Sequence, residues 1–542
     1  MRTRTSSPGP AKAGNSAATP RLLADAVQRH REGRLAEAAE LYRRILALQP
    51  KHPDALHLLG LVEHARGAHA DSLKLIERAI AINGRIAAFH TARGTVLAAL
   101  GRGEAAFQAL TRALALEPRN PEALNTLGNL RLSSGDAVAA EDAYRQALAA
   151  KPEYAEALSN LGSALRAQGR LADAEAALRE AIRLRPSYAT ALANLGLVLQ
   201  EQARWAEALA TYDRALAPDS RHPAAHGNRS MLLLLLGRLE EGFAEYEWRW
   251  QMPDFATPRR DFPQPLWNGE RLSGETLLVH AEQGLGSAIQ FVRYVKPAAA
   301  MGARIVLECQ PPLLRLFRQS LAGPGEPVAE VIIKGEALPP FDRQVPLMSL
   351  PHLLGTTLST IPAGIPYLRA DEADIAVWRG RLASAPRPRI GLVWAGNRRH
   401  ENDHNRSLPA TGLAPLVSRF DAAFFSLQVP VSPSDLACFP AGRLVDYAPL
   451  LTDFADTAAA LAALDLVITV DTAAAHLAGA LGRPGWLLLP FVPEWRWLLD
   501  REDSPWYPSL RLFRQRSPGD WDEVIERVAA ALPGWAAQMG SR

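Results

Sequence analysis

The sequence predicts an all-helical solenoid followed by an α/β region built as two Rossmann-like lobes. Three observations carry that reading. Glycines recur at 33, 67, 101, 135, 169 and 237, with Ala203 in the open slot, at an interval of 34 residues. From about Pro263 this period gives way to short β-rich runs separated by helical stretches, the pattern of βαβ units and a mostly parallel sheet. Between Leu464 and Pro484 a buried-strand pattern runs into a helix through Asp471 and Thr472.

Composition bounds the possibilities. A chain of 542 residues is too long for one core, and 48% hydrophobic with 22% charged residues is globular usage. The 60 basic and 57 acidic residues leave a formal charge of +3, no field for wrapping nucleic acid, so no nucleic-acid partner is expected. Cys309 and Cys438 form neither a disulfide framework nor a metal-ligand spacing, and neither a metal nor a cofactor is expected. Residues 1–19 are rich in Ser, Pro, Ala and Gly without an apolar core segment, and read as a disordered leader rather than a secretory signal. The longest greasy run, Met231 to Leu236, is too short for a transmembrane segment, and the expected location is cytoplasmic.

Residues 20–253 hold about seven repeat units. Pro50, Gly84, Pro118, Pro152, Pro186 and Ser220 keep step with the first glycine series, and Gly60, Gly94, Gly128, Gly162 and Gly196 form a third. Ala38, Ser72, Ala106, Ala140, Ala174, Ala208 and Gly242 are small, so paired helices can approach closely. This unit resembles the tetratricopeptide repeat, two antiparallel helices stacked into a superhelix with a concave groove. Such grooves hold peptides or partner proteins. Asn160, Asn194 and Asn228 recur at one repeat position and resemble the asparagine ladder of the O-GlcNAc transferases. A carboxamide both donates and accepts, so a row of them can bind peptide backbone; the alternative is ordinary solvated polar residues. The last unit ends in EYEWRWQMP, whose Tyr246, Trp248 and Trp250 are expected to pack the array against the next domain.

In the α/β half, strands are expected at Thr276–His280, Arg304–Glu308, Val328–Ile333, Ile390–Trp394, Ala423–Leu427, Leu466–Val470 and Trp486–Leu489. A Pro-rich passage, Ile361–Pro366, divides a lobe at 263–365 from one at 366–542, and the last helix, Asp520–Leu532, could belong to either. The segments LLVHAEQGLGSAIQFVRY, GLVWAGNRRHENDHNRSLP, DTAAAHLAGALGRPGWLLLP and EWRWLLDREDSPWYPSLRLFRQ resemble bacterial proteins that fuse tetratricopeptide repeats to a glycosyltransferase domain. That domain is similar to the family-9, heptosyltransferase-like enzymes. The resemblance implies the two-lobed GT-B architecture, with the acceptor on the first lobe and a nucleotide-diphosphate sugar on the second.

The residues themselves point the same way. The free N–H groups of a helix that starts at Asp471 and Thr472 can hold a diphosphate, unless Asp471 merely caps the helix. The resemblance adds His476 to that pocket, one turn in. Its alternative is a core histidine bonded to a backbone carbonyl. Arg406, three before Pro409, takes the family's phosphate-binding position, which suits a five-donor guanidinium; its alternative is a surface arginine beside Asp403. Gly396 and Asn397 follow a strand, where glycine admits close approach and Asn can bond a ligand. Arg398, Arg399, His400, His404 and Arg406 form a local basic patch that favours an anionic substrate. On the first lobe, Glu282, Gln283, Gly284, Gly286 and Ser287 line the expected acceptor side. The related proteins carry Asp, taken as the catalytic base, where this chain has Ser287. A serine is too weak a base at neutral pH, so Glu282 or another group takes the role, or activity is impaired. Trp495, Arg496 and Trp497 either flank the nucleotide or pack in the core. Asp520-Trp521-Asp522 opens a helix and is not expected to bind metal.

Two functions follow from these readings. One is a metal-independent, inverting glycosyltransferase whose repeats recruit a protein acceptor. The other is a protein-binding repeat scaffold with a degenerate transferase domain.

Overall fold

A computed structural model describes residues 14–252, 255, 257–282, 284–398 and 402–540, with side chains from Thr19 to Met539. Gln283, Arg399 and His400 of the expected site lie outside the described residues. The chain divides into two compact units after Ser220.

The first unit is a series of paired antiparallel helices, beginning with Gly14–Arg31 and Leu35–Leu48. Its first helix starts inside the segment expected as a leader over 1–19, and Pro20 lies within it. The 34-residue period has a stereochemical cause. At Gly101 (φ 71°) the helix Ala87–Ala99 ends with Gly101 N–H bonded to Ala98 O and Arg102 N–H bonded to Leu97 O, both 2.9 Å. That closure needs a left-handed residue, which glycine adopts freely. Ala203 makes the same two bonds, Ala203 N to Gln200 O at 3.0 Å and Arg204 N to Leu199 O at 2.9 Å, at φ 59°. Its Cβ therefore carries left-handed strain. Ala203→Gly is expected to stabilise the protein by about 0.5–1 kcal/mol after the extra freedom of glycine in the unfolded chain is deducted. A rightward shift of the urea midpoint followed by helical circular dichroism checks this.

The third glycine series marks helix contacts. A Cβ at 60, 94 or 162 would lie 2.8, 2.7 or 2.6 Å from Ile76, Leu110 or Leu178, and at 128 or 196 it would meet the rings of Tyr144 or Tyr212. The small residues Ala38, Ser72, Ala106, Ala140, Ala174 and Ala208 are fully buried in the same interfaces.

The second unit opens with the last helix pair, Pro223–Leu235 and Leu239–Tyr246, although the sequence pattern counts that pair with the repeats, up to 253. The reason is its aromatic and charged tail. Phe243 meets Phe291 and Trp495 edge-on, Tyr246 is buried beside Met348, and Trp248 stacks on His226 at 3.9 Å. Of the three residues expected to pack against the next domain, Tyr246 does so at Met348, whereas Trp248 stacks within its own helix pair and Trp250 meets Phe255.

Two parallel sheets follow. In the first, β1 (Thr276–His280), β2 (Arg304–Cys309), β3 (Val328–Ile333) and β4 (Arg343–Pro346) take the order β3-β2-β1-β4. The second contains β5 (Arg389–Val393), β6 (Ala423–Ser426), β7 (Leu444–Asp446), β8 (Leu466–Val470), β9 (Gly485–Leu489) and β10 (Leu510–Arg514). Its order is β10-β9-β8-β5-β6-β7, the doubly wound arrangement, with every pair parallel. All seven strands expected from sequence are present, within one residue at each end. The three that sequence missed, β4, β7 and β10, are sheet edges. The terminal helix Trp521–Gly540 belongs to the second sheet, where Val524, Ile525, Val528 and Leu532 pack with Ile390, Ile468 and Trp486.

Candidate functional site at the strand-order reversal of the second sheet

The second sheet reverses its strand order between β5 and β8, and at such a point the loops diverge and leave a crevice beyond the strand ends. Val393 pairs with Thr469, so the chain leaves both strands at one level. Beyond β5 come Gly396 and Asn397; beyond β8 come Asp471 and Thr472. Asn397 is exposed. Arg406, from the short helix Asp403–Arg406, bridges the two loops. Its Nη1 donates to the carbonyl of Asp471 at 3.3 Å and its Nε to Asp403 Oδ1 at 3.4 Å. A Cβ on Gly396 would lie 2.7 Å from Arg406 Nη2 and 2.8 Å from Asp403 Oδ1. The glycine thus makes room for the guanidinium, rather than directly for a ligand. Arg406 is partly buried, and the alternative of an arginine beside Asp403 is realised in part.

Thr472 is the N-terminal boundary residue of the helix Ala473–Ala480 and makes no side-chain cap. Its hydroxyl lies 3.2 Å from that of Thr469. The helix boundary therefore falls on Thr472 rather than on Asp471. His476 is buried, with Nδ1 3.0 Å from the hydroxyl of Tyr507 and its ring stacked on Trp497. Burial, then Arg496, Arg293 and Arg406, hold its pKa well below the ordinary histidine range, so the ring is neutral. The core-histidine alternative is realised in part, with a tyrosine hydroxyl replacing the expected backbone carbonyl.

The loop after β1 meets this helix. Gly284 is exposed at the start of the helix Leu285–Phe291, and a Cβ on Gly286 would lie 2.8 Å from His476 Cδ2. Ser287 Oγ accepts from Arg496 Nη2 at 3.1 Å. Arg496 also bonds Gln290 through Nε and Glu494 through Nη1, while its plane covers the Trp495 ring at 4.4 Å. Glu494 is pushed up to about 7, first by burial and then by Asp471, against the pull of Arg496. Trp495 and Trp497 are buried, so the packing alternative holds for both.

Glu282 does not serve as the base that sequence offered. Its side chain is 0% exposed and paired with Arg249, Nε to Oε2 at 3.0 Å and Nη2 to Oε1 at 2.9 Å. The Met348 N–H also reaches Oε1, at 3.3 Å. With no exposed surface, the carboxylate is out of reach of a substrate and ties the last helix pair to the first sheet. Asp520 Oδ1 accepts from Glu523 N at 3.1 Å, at the start of the terminal helix.

In the repeats, Asn160 Nδ2 donates to Asn125 Oδ1 at 3.0 Å, and Asn194 Nδ2 approaches Ser163 Oγ at 3.2 Å and Ser159 Oγ at 3.4 Å. Both half-buried carboxamides bond the preceding repeat. Asn228, also half-buried, belongs to the second unit.

Sequence reasoning missed Glu494, Tyr507 and Arg249, and offered Arg496 only as one of three residues that flank the nucleotide or pack in the core. The available signal was a run of alternating charge and tryptophan, Glu494 to Trp497, in a loop beyond a strand end.

Known proteins agree with the helical part. Tetratricopeptide-repeat families match residues 29–88, 91–151, 125–189 and 165–232. Protein FlbA of Caulobacter vibrioides is 28% identical over 316 residues, covering 55% of this chain and 52% of its own. The chain thus spans about half the length of that curated relative. Among solved structures, TTC0263, a thermophilic repeat protein of Thermus thermophilus, is 31% identical over 29% of this chain and 87% of its own, with a TM-score of 0.28. Pseudomonas aeruginosa pilF is 20% identical over 37% of this chain and 89% of its own, with a TM-score of 0.32. Cut9–Hcn1 of the APC/C is 20% identical over 40% and 43%, with a TM-score of 0.38. The N-terminal part is a tetratricopeptide-repeat solenoid, and an α/β region with parallel sheets follows it. Among the described residues no helix is long and apolar enough to cross a membrane.

Proposed function

We propose that this tetratricopeptide-repeat protein is a glycosyltransferase that moves a sugar from a nucleotide-diphosphate donor to a protein acceptor held by the repeats. The observation that carries the reading is the convergence of Arg406, Gly396, Asp471 and Thr472 at the strand-order reversal. Stabilising the departing diphosphate is the demanding electrostatic task of such a transfer. Arg406 and the first-turn amides of the helix Ala473–Ala480 supply positive charge from the chain itself. The neutral His476 can contribute a hydrogen bond but no charge. Direct displacement at the anomeric carbon then inverts its configuration. Asn160 and Asn194 of the first unit are the repeat residues proposed to meet acceptor backbone, and Asn228 is proposed for the same kind of contact within the second unit.

Thermal unfolding with UDP, GDP and ADP tests the donor site. One of the three, at about a hundred times its dissociation constant, is expected to stabilise the protein by about 2.7 kcal/mol. A melting temperature unmoved by all three at millimolar concentration removes the reading.

The second reading is a repeat scaffold whose transferase site has lapsed. Ser287 favours it, because its hydroxyl is engaged by Arg496 and Glu282 is locked by Arg249. Nucleotide binding without donor cleavage is the result that reading predicts.

A further inference from the structure

Resting on the nucleotide-sugar reading, we propose that Glu494 takes the acceptor proton in place of the carboxylate that Ser287 lacks. Among the described residues, four carboxylates on the loops around the crevice are candidates. Glu282 is sealed by Arg249, and Asp403 is bound by Ser407 Oγ at 2.9 Å and by Arg406. Asp471 is buried, with its carbonyl on Arg406. Glu494 alone of the four keeps its side chain 30% exposed, although protein encloses it on most sides. That remaining exposure is the opening through which the proposal brings water or an acceptor hydroxyl to it. Its position is fixed: Arg496 N donates to Oε2 at 3.0 Å, and Arg496 Nη1 holds Oε1. The same guanidinium holds Ser287, so Glu494 is tied to the residue at the family's base position in the helix after β1.

The groups facing it are Arg496 from its own turn and Asp471 from the end of β8, with Arg406 behind Asp471. Arg496 favours the carboxylate, whereas burial and Asp471 favour the acid, and the balance near neutrality suits a general base. In the step, the acceptor oxygen forms a bond to the anomeric carbon as its proton passes to a Glu494 oxygen. The bond from that carbon to the diphosphate oxygen breaks, and its electron pair leaves with the nucleoside diphosphate.

The test measures nucleoside-diphosphate release from UDP-, GDP- and ADP-linked hexoses and heptoses, with water as acceptor, between pH 5.5 and 9. For the wild type, kcat/KM is expected to rise with pH through a limb near 7. Glu494→Gln is expected to lower it by about 10²–10⁴-fold and abolish the limb, while nucleotide affinity stays within about threefold. Added formate should restore part of the rate to Glu494→Ala, which a merely structural role does not predict. A wild-type profile flat across this range overturns the proposal without any variant. So does a Glu494→Gln enzyme that keeps both rate and limb. If no nucleotide binds the wild type, the donor reading itself fails and takes this one with it. Nucleotide binding with unchanged Glu494→Gln kinetics fails this proposal alone.

Discussion

Arg249→Ala is expected to destabilise the second unit by about 3–5 kcal/mol, because it strands a carboxylate in the interior. Arg249 is 2% exposed and bonds Glu282 twice, Glu247 Oε1 at 2.6 Å and Ser349 Oγ at 2.8 Å. Burial drives the Glu282 pKa up even in the intact pair, and the guanidinium pulls it back. Without Arg249 the folded-state pKa climbs further above the ordinary value of 4.5. Between those two values the folded protein holds more protons than the unfolded chain, so stability falls as pH rises. The variant should therefore lie nearest the wild type below about pH 4.5 and fall away as pH rises through the raised folded-state value. Denaturant unfolding at several pH values measures this. A loss that is small at neutral pH, or equal at all pH values, contradicts the assignment of Glu282 as a structural partner. Arg249→Met with Glu282→Leu should recover most of the loss, since a filled apolar pair leaves no buried charge.

Arg406→Ala is expected to weaken nucleoside-diphosphate binding by about 10–150-fold, the equivalent of one charge-assisted contact of about 1.5–3 kcal/mol. Arg406→Lys should restore only part, because a single ammonium cannot reproduce the fork that reaches both loops. Isothermal titration with the nucleotide that stabilises the wild type gives the comparison. Arg406 also bonds Asp471 and Asp403, so the ligand-free melting point must be read alongside. Unchanged nucleotide affinity in a folded Arg406→Ala protein would take the phosphate role away from this residue.

The two halves of the chain differed in how plainly they could be read. A repeat helix needs only near neighbours, and each left-handed turn or close contact recurs every 34 residues. Gly101 and Gly162 thus announce their geometry by position. Strands β8 and β9 are buried along their whole length and stand out as apolar runs. Edge strands do not. β10 alternates Arg511 and Arg514 with buried leucine and phenylalanine, and β7 has only three residues, so neither presents a continuous apolar run.

The candidate site divides in the same way. A strand running into a helix placed Asp471, Thr472 and His476 together, because each is close in sequence to the others. The stretch after β5 likewise delivered Gly396 and Arg406. Charge states and partners were beyond that reach. Glu282 meets Arg249 across 33 residues, and Ser287 meets Arg496 across 209. No local pattern encodes such pairings.

The amino-acid order determined the helical repeat, the buried strands and the residues delivered to the strand-order reversal, since local backbone stereochemistry and the hydrophobic pattern act over a few turns. The tertiary structure decided that Glu282 is a buried anchor, that His476 is neutral, and that Glu494 keeps part of its side chain exposed. Burial and the field of distant charges set those properties, and both come into being only when the second unit is packed.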